Sequence, residues 1–432
     1  MVGNNKEILV ERKYLVTFIL VTTLFALWGF ANDITNPMVA AFQTVMEISA
    51  TKASMVQFAF YGGYATMAIP AALFVRKYSY KKGILLGLAL YAIGAFLFIP
   101  AAEFQEFSYF CISLYILTFG LAFLETTANP FILSLGNSKT ATRRLNLSQA
   151  FNPMGSLCGM FVASNIVLAS LESDSPAVRE TGFSNLSETA KAAIRLHDLA
   201  IIRNPYVILG CIVVVMFVII AVFVRQEPDN MTEKKEEPEI GESLRRLWHN
   251  HLYREGVITQ VFYVAAQIMC WTFIIQYADN LGINKATAQM YNICAMSMFL
   301  CSRFVCTLLM KYINSRMLLM IFGIGGICTT LGTIFIVGQA GLYCLVATSA
   351  FMSLMFPTIY GVALEGVGND TTLGAAFLVM AIVGGALMPP LQGMIIDMGT
   401  VGFLPAVNAS FCLPLICFVV ISAYGLRAYT KR

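Results

Sequence analysis

Long apolar stretches recur along the whole of this 432-residue chain, and they constrain its fold more than any other feature. A helix needs about 20 apolar residues to cross the hydrocarbon core of a bilayer. The sequence therefore predicts a protein that crosses a membrane repeatedly. About twelve spans of that length are expected, near residues 15–43, 53–75, 83–102, 108–134, 145–171, 205–225, 256–278, 287–310, 316–337, 342–364, 372–396 and 402–426.

The composition agrees with a surface that is covered mainly by lipid. Hydrophobic residues make up 58% of the chain, charged residues only 12%, and the mean hydropathy is +0.73. A soluble domain has roughly twice that charged fraction. The net charge of +4 comes without a basic patch interleaved with aromatic residues, so nucleic acid is not expected as a partner. The first apolar run is too long for a cleavable signal peptide and is expected to remain as a helix.

Motifs of catalysis are missing from the sequence. We find no phosphate-binding loop of an ATPase and no GxSxG motif of a serine hydrolase. The 11 cysteines are scattered, mostly within apolar runs, and form no CxxC pair, so we expect buried thiols. The three histidines, His197, His249 and His251, all fall in predicted loops. We therefore expect neither an enzyme nor a bound metal or cofactor.

The distribution of Lys and Arg predicts the orientation. If the N-terminus is taken as cytoplasmic, the loops on that side hold most of the 28 basic residues. Cytoplasmic loops of membrane proteins carry an excess of Lys and Arg. Both termini are therefore expected in the cytoplasm. The loops on the opposite side hold only Lys52, Arg179, Lys191, Arg195, Arg203 and Lys285.

Two long loops interrupt the apolar pattern. The outer one runs from about Glu172 to Asn204, and its stretch Ser187–Ile201 could form a short surface helix. The inner one is the most polar part of the chain and divides the predicted spans into six and six. We interpret it as a solvated linker, residues 226–255, between an N-terminal half, 1–225, and a C-terminal half, 256–432.

Short sequence echoes relate the two halves. Arg76-Lys-Tyr78 follows the second predicted span and Lys311-Tyr312 follows the eighth. Leu124–Pro130 in the fourth span corresponds to Phe351–Pro357 in the tenth. Parallel repeats of six helices are typical of transporters that bind substrate between their halves near the bilayer midplane. The sequence thus predicts an all-α membrane protein with twelve transmembrane helices in two pseudo-symmetric six-helix halves.

Charged residues inside the predicted spans are candidate functional residues, because burying a charge in hydrocarbon costs about 3 kcal/mol or more. Asp33 and Glu125 lie deep in the first and fourth spans, and the neighbouring predicted spans contain no Lys or Arg. Each carboxylate could take up and release a proton. The alternatives are a structural cap beside Pro37 for Asp33 and a protonated packing residue for Glu125. Arg303, near the end of the eighth span, could extend to the headgroups or latch an inner gate.

Polar and aromatic residues fall on shared helix faces, as sugar recognition requires. Amides and hydroxyls can bind ring hydroxyls, and aromatic faces can pack on the apolar side of a sugar. Interhelical hydrogen bonding is the alternative for each single residue. The candidates for such a cavity are Gln260, Tyr263, Gln267 and Trp271 in the seventh span, Gln57, Tyr61 and Tyr64 in the second, Gln149 and Asn152 in the fifth, and Asn129, which shares a face with Glu125 in the fourth.

Along nearly its whole length the chain resembles the fucose–proton symporter family of the major facilitator superfamily. The most specific segments are in the fourth and fifth spans. The segments that carry the resemblance are Phe58–Tyr64, Tyr78–Gly83, Leu124–Pro130, Arg144–Asn152, Tyr263–Trp271 and Ala350–Ile359.

The resemblance implies the major facilitator fold and proton-coupled uptake of L-fucose or a related monosaccharide. By similarity, Asn32 and Asp33 match the Asn-Asp pair of the family, and the Asp is expected to cycle a proton. Glu125 is expected to contact the sugar and couple it to the proton, while Gln149 and Asn152 match polar positions of the cavity. A carboxylate at position 125 favours the fucose branch over the glucose/galactose branch.

Several alternatives remain open at this point. The nearest is a hexose carrier for glucose or galactose that is coupled to protons or sodium or works as a uniporter. A drug exporter of the same fold and a membrane-embedded enzyme are more distant. The expected partners are a small sugar, protons and membrane lipid, with no nucleic acid. The expected form is a monomer in the bacterial inner membrane.

Overall fold

The structure is a computed structural model of the chain. It describes the backbone of residues 9–48, 55–167, 170–175, 177–178, 183–224, 240–283, 285–396, 398–402 and 404–430. Within these ranges it does not describe the side chains of residues 36–41, 43, 44, 57, 58, 164, 174, 184, 275, 279, 285–287, 289 and 390.

Helices make up nearly all of the described chain, as the sequence predicts. Among the described residues, one two-stranded antiparallel ribbon, β1 (Thr400–Val401) with β2 (Leu404–Pro405), lies between the last two spans. The α-helices are α1 (Leu15–Val45), α2 (Met55–Lys77), α3 (Tyr80–Phe96), α4 (Phe98–Phe104), α5 (Phe107–Ser134), α6 (Ala141–Gln149), α7 (Phe151–Val162), α8 (Glu188–Phe223), α9 (Ile240–His249), α10 (His251–Thr272), α11 (Ile274–Asn280), α12 (Lys285–Leu309), α13 (Ser315–Phe335), α14 (Gln339–Met352), α15 (Met355–Ala363), α16 (Thr371–Met380), α17 (Gly384–Ile396), α18 (Ala406–Ser410) and α19 (Cys412–Thr430). Short 3-10 turns lie at Arg12–Tyr14, Ser138–Thr140, Glu172–Asp174, Phe183–Asn185, Gly368–Asp370 and Ala381–Val383, and a π-helical turn lies at Ala163–Val167.

Over its described residues, each of the predicted spans overlaps one α-helix or two α-helices in series. Among the described residues, nine segments are long and apolar enough to cross a membrane. Several spans are broken near their middle, as where α6 gives way to α7 and α14 to α15. Pro153 and Pro357 follow these two breaks, and a proline cannot donate the backbone hydrogen bond that would continue the helix.

The outer loop differs from the prediction in one respect. The helix expected at Ser187–Ile201 is not a separate surface element, because α8 runs without interruption from Glu188 to Phe223 with Pro205 inside it. Ser187 caps its start by accepting a hydrogen bond from the amide of Ala190 (3.4 Å). A Pro within a helix removes one backbone hydrogen bond and crowds the preceding turn, yet α8 continues through Pro205.

Asp198, on the first half of α8, holds the preceding loop in place. Its carboxylate is fully buried. Its two oxygens accept hydrogen bonds from the amides of Glu172 and Ser173, each at 2.9 Å. A buried carboxylate needs such partners, and here they attach the 3-10 turn Glu172–Asp174 to α8.

Backbone contacts divide the chain into two compact units. One contains the described residues within Met1–Phe18, Asn129–Ala150 and Pro228–Arg432, and the other those within Ile19–Ala128 and Phe151–Glu227. The first unit therefore includes the end of α5 and the whole of α6, which packs on α12 and α15. The predicted halves 1–225 and 256–432 with the linker 226–255 stay a prediction.

Glycines bring α1 and α7 into direct backbone contact within the second unit. A methyl group on Gly29 would overlap the carbonyl oxygen of Asn152, and one on Gly155 would overlap that of Ala26. The Asn152 side chain donates from Nδ2 to the carbonyl of Phe25 (3.3 Å) and ties the same two helices together. We call this contact between α1 and α7 the glycine seam.

Candidate functional site

Glu125 is buried within the second unit and meets a tyrosine there. It lies on α5 and is 8% exposed. The hydroxyl of Tyr64, on α2, donates a hydrogen bond to Glu125 Oε1 at 3.3 Å. Sequence reasoning placed both residues on cavity faces but did not pair them. The signal available was the helical spacing of Tyr61 and Tyr64, which directs two hydroxyls to one side of α2.

Asp33 lies near the other tyrosine of that face. Its carboxylate is close enough to act electrostatically on Tyr61, and Asp33 itself is half-buried on α1. Next to it, Asn32 has a buried Oδ1 for which the described structure provides no hydrogen-bond partner. A buried amide oxygen without a partner costs about 1–3 kcal/mol, so this atom is available to a donor from outside the chain. We call Asn32, Asp33, Tyr61, Tyr64 and Glu125 the carboxylate region.

The predicted amides of the fourth and fifth spans fall into two places. Gln149 donates from Nε2 to Asn129 Oδ1 at 2.9 Å, and both side chains are buried in the first unit. Asn152 belongs to the glycine seam of the second unit. Gln149 and Asn152 are three positions apart in the chain, but the break at Ala150 puts them on different helices.

Arg303 lies on α12, and its surroundings differ from those that the sequence predicted. The side chain does not extend to the headgroups, because it is only 3% exposed, with its guanidinium carbon 4.6 Å from the centroid of the Phe299 ring. The guanidinium donates from Nε to the carbonyl of Ser353 at 2.5 Å and from Nη1 to the carbonyl of Gln149 at 2.9 Å.

Both of these carbonyls stand four residues before a proline. Pro357 lacks the N–H that would bond the carbonyl of Ser353, and Pro153 lacks the one that would bond the carbonyl of Gln149. Arg303 supplies the donor in both cases, and so satisfies two buried acceptors that the helix breaks leave open. A single Arg in an apolar span, together with two prolines at such positions, was the sequence signal for this arrangement. We call Asn129, Gln149, Arg303 and Ser353 the arginine region.

The predicted face of the seventh span lies on α10. Trp271 is half-buried and donates from Nε1 to Ser349 Oγ (3.1 Å) on α14. The hydroxyl of Tyr263 donates to the carbonyl of Met352 (3.2 Å) at the end of the same helix. Gln267, between them, is half-buried. Tyr263 and Trp271 thus carry the interhelical hydrogen bonds that were the alternative to a role in the cavity, and their sugar contacts stay a prediction.

Gln260 differs from its neighbours on α10. It is fully buried, and the described structure provides no hydrogen-bond partner for either its Oε1 or its Nε2. An amide in such a setting carries the full cost of desolvation unless a ligand or water pairs with it. Gln57, predicted for the same cavity, has a side chain outside the described residues.

No group of three or more His, Cys, Asp or Glu side chains that could hold a metal ion occurs within the ranges the structure describes. A buried glutamate, a half-buried aspartate and buried amides inside membrane-spanning helices are typical of membrane transporters, in which ionisable residues within the spans mark the path of an ion or polar substrate.

Comparison with known proteins gives the same class and refines it. The sequence profile described as Major Facilitator Superfamily matches residues 19–389. The L-fucose-proton symporter of Haemophilus influenzae is 63% identical over 420 residues, covering 97% of this chain and 98% of that protein. The L-fucose-proton symporter of Escherichia coli K12 is 33% identical, covering 96% and 93%.

A solved structure agrees with these relatives. The crystal structure of FucP, the Escherichia coli fucose:proton symporter, in the outward conformation superposes with a TM-score of 0.88 and 31% identity, covering 96% of this chain and 99% of that one. The chain belongs to the fucose–proton symporter family of the major facilitator superfamily. The predicted fold class is confirmed, and the protein is a sugar transporter and not an enzyme.

Proposed function

We propose that this chain carries L-fucose into the cell together with protons, by alternating access. Its 63% identity to the L-fucose-proton symporter of Haemophilus influenzae supports the substrate. The burial of Glu125 against the Tyr64 hydroxyl supports the coupling and is the observation on which the proposal depends.

The chemistry of the coupling follows from the cost of a buried charge. A tyrosine hydroxyl donates to a charged carboxylate and can accept from a protonated one. Glu125 can therefore keep its contact with Tyr64 in both states. In the proposal, protonation of Glu125 and Asp33 removes two charges before the site closes around the sugar, and loss of the protons on the other side releases it.

In the proposal, the first residues to bind the sugar are those with buried polar atoms that lack a hydrogen-bond partner within the described chain. Asn32 Oδ1 and both amide atoms of Gln260 are buried and lack partners within the described chain. Glu125 contacts the sugar as well as the proton. The remaining candidates are those predicted from the sequence, namely Asn129, Gln149, Asn152, Gln57, Tyr61, Tyr263, Gln267 and Trp271.

The finer expectations about location belong to the same proposal. The bias of Lys and Arg between the loops supports a bacterial inner-membrane protein with both termini in the cytoplasm. We further propose that the monomer is the transporting unit, in contact with membrane lipid and without other protein chains.

The test is uptake of radiolabelled L-fucose into cells that lack their own carrier, with and without a protonophore. We expect accumulation that the protonophore abolishes and that unlabelled L-fucose alone competes away. Uptake that resists the protonophore contradicts proton coupling. Competition by D-glucose or D-galactose, with transport of either when labelled, contradicts the fucose assignment and favours the hexose branch. The Glu125→Gln variant is the matched control, expressed to the same level but without a titratable group.

A further inference from the structure

Helix α9 carries an exposed apolar stripe just before the seventh span. Ile240, Leu244 and Trp248 follow each other at intervals of four residues and lie within an arc of about 80° on the helix. All three are exposed, and Trp248 is 67% exposed. Ser243 and Leu247, on the neighbouring arc, are buried. The stripe is therefore separate from the face that packs on the protein.

An ion pair fixes the orientation of α9. Arg246 donates from Nε and Nη2 to the two carboxylate oxygens of Asp370, each at 2.8 Å. Asp370 is 5% exposed and lies just before α16. Such two-pronged pairs have a defined geometry. At the other end of α9, the Asn250 side chain caps α10 by accepting from the amide of Tyr253 (3.1 Å). The stripe is thus held outward by contacts on both sides.

Basic residues border the stripe. Arg254, on the first turn of α10, places its guanidinium 5.8 Å from the centroid of the Trp248 ring and donates to His251 Nδ1 (3.0 Å). Arg245 and His249 are exposed on α9. Trp beside Arg is the pairing found where a helix lies at the membrane–water boundary, since both side chains combine an apolar body with a polar end.

Beyond Arg254, which contacts Trp248 of the stripe, the seventh span presents an exposed apolar residue. Ile258 is 49% exposed on α10 and lies one turn beyond Arg254 on the same face. Four residues correspond to a rise of about 6 Å. If Ile258 faces the acyl chains of the bilayer, Arg254 and Trp248 come at the depth of the headgroups.

We propose that α9 docks on the anionic phospholipid surface at this end of the molecule. Trp248, Leu244 and Ile240 enter the boundary between headgroups and acyl chains, and Arg245 and Arg254 bind lipid phosphates. A short amphipathic helix with basic residues beside its apolar face binds membranes in this manner. The attraction between basic residues and an anionic membrane surface adds to the burial of the stripe.

Tryptophan fluorescence of the whole protein in lipid nanodiscs tests the proposal. The chain has three tryptophans, so the difference between the wild type and Trp248→Phe isolates the emission of Trp248. The nanodiscs contain phosphatidylcholine, with or without phosphatidylglycerol, and either lipid can carry bromine on its acyl chains as a quencher. We expect brominated phosphatidylglycerol to quench Trp248 at least about twofold more than brominated phosphatidylcholine at the same mole fraction, as an anionic headgroup preference requires.

Three outcomes of the quenching measurement support or contradict the docking of α9 on anionic lipid. Loss of the phosphatidylglycerol preference in the Arg245→Gln/Arg254→Gln variant, with quenching by both lipids retained, supports the phosphate contacts. Equal quenching by the two lipids in the wild type overturns the anionic preference. Quenching of Trp248 by aqueous iodide but by neither brominated lipid overturns the docking and leaves α9 in solvent or against a soluble partner. Trp248→Leu repeats the difference measurement if the Phe variant folds poorly.

Discussion

Glu125 of the carboxylate region and Arg303 of the arginine region are both buried inside helices, yet their charged groups have different kinds of partner. Arg303 donates to the carbonyls of Gln149 and Ser353, which are fixed in the backbone and cannot change their protonation. Glu125 instead meets the hydroxyl of Tyr64, which can donate or accept. The first arrangement stabilises one geometry, whereas the second tolerates two states of charge. Under the proposed function, the arginine region therefore stabilises the fold and the carboxylate region exchanges the proton.

The largest effect is expected from substitutions that remove the titratable groups of the carboxylate region. With Asp33→Ala or Glu125→Gln, accumulation of L-fucose against a gradient should fall to the background of empty cells. Exchange of labelled for unlabelled fucose across proteoliposomes needs no net proton movement, and Glu125→Gln should retain it because the amide keeps its hydrogen-bonding capacity. Accumulation by either variant at the wild-type level would contradict a proton role.

The next largest effect is expected from a substitution that removes the hydrogen-bond donors of the arginine region. Arg303→Met leaves two buried carbonyls without donors, at a cost of about 1–3 kcal/mol each. Purified protein should melt several degrees below the wild type in a detergent thermal-shift measurement, and transport should fall with the amount of folded protein. Pro357→Ala in the same chain restores an N–H for the carbonyl of Ser353 and should recover part of the melting temperature.

Two controls belong to that measurement. Pro357→Ala alone should leave the melting temperature near that of the wild type, since Arg303 already bonds the Ser353 carbonyl. Arg303→Lys keeps a cation but not the fork of two donors, and should fall between wild type and Met. If Arg303→Met has the same melting temperature as the wild type, the arginine region does not stabilise the fold as we expect.

A smaller effect distinguishes whether the Gln260 amide binds the sugar or serves only in packing. Gln260→Leu removes a buried amide whose atoms lack partners within the described chain. If the amide serves the sugar, the apparent affinity in fucose exchange should fall about tenfold, equivalent to about 1.4 kcal/mol, while the thermal stability stays equal or rises. A fall in stability with unchanged affinity would assign Gln260 to packing. Gln392→Leu is the control for a packing amide, because Gln392 on α17 is buried and donates from Nε2 to Ser410 Oγ (3.1 Å); it should lower the thermal stability and leave the affinity for fucose unchanged.

The smallest effect concerns the hydroxyl of Tyr64. Tyr64→Phe removes the 3.3 Å hydrogen bond to Glu125 and leaves the ring in place. A single such bond is worth about 1 kcal/mol, so the fucose uptake rate should fall a few-fold while accumulation remains sensitive to the protonophore. Complete loss of accumulation would mean that the hydroxyl is itself indispensable to coupling.

The sequence was sufficient for the features that depend on local pattern. Apolar length located the spans, and the motif around Glu125 indicated the family, because both depend on residues that are near each other in the chain. The pairing of Glu125 with Tyr64 joins residues 61 positions apart, and the hydrogen bonds of Arg303 join three separate segments. Such contacts depend on tertiary packing, which periodicity does not encode. The break between α6 and α7 likewise separated Gln149 from Asn152, although a spacing of three predicted a common face.

The glycine seam limits how this transporter can diversify. Gly29 and Gly155 let the backbones of α1 and α7 touch, so the first gain of a methyl group at either position forces the helices apart. Asn32 and Asp33 lie on one of these helices and Asn152 on the other. Natural or laboratory variants that acquire a new sugar should therefore change side chains around a fixed pair of helices, and saturation libraries should recover almost nothing but glycine at these two positions.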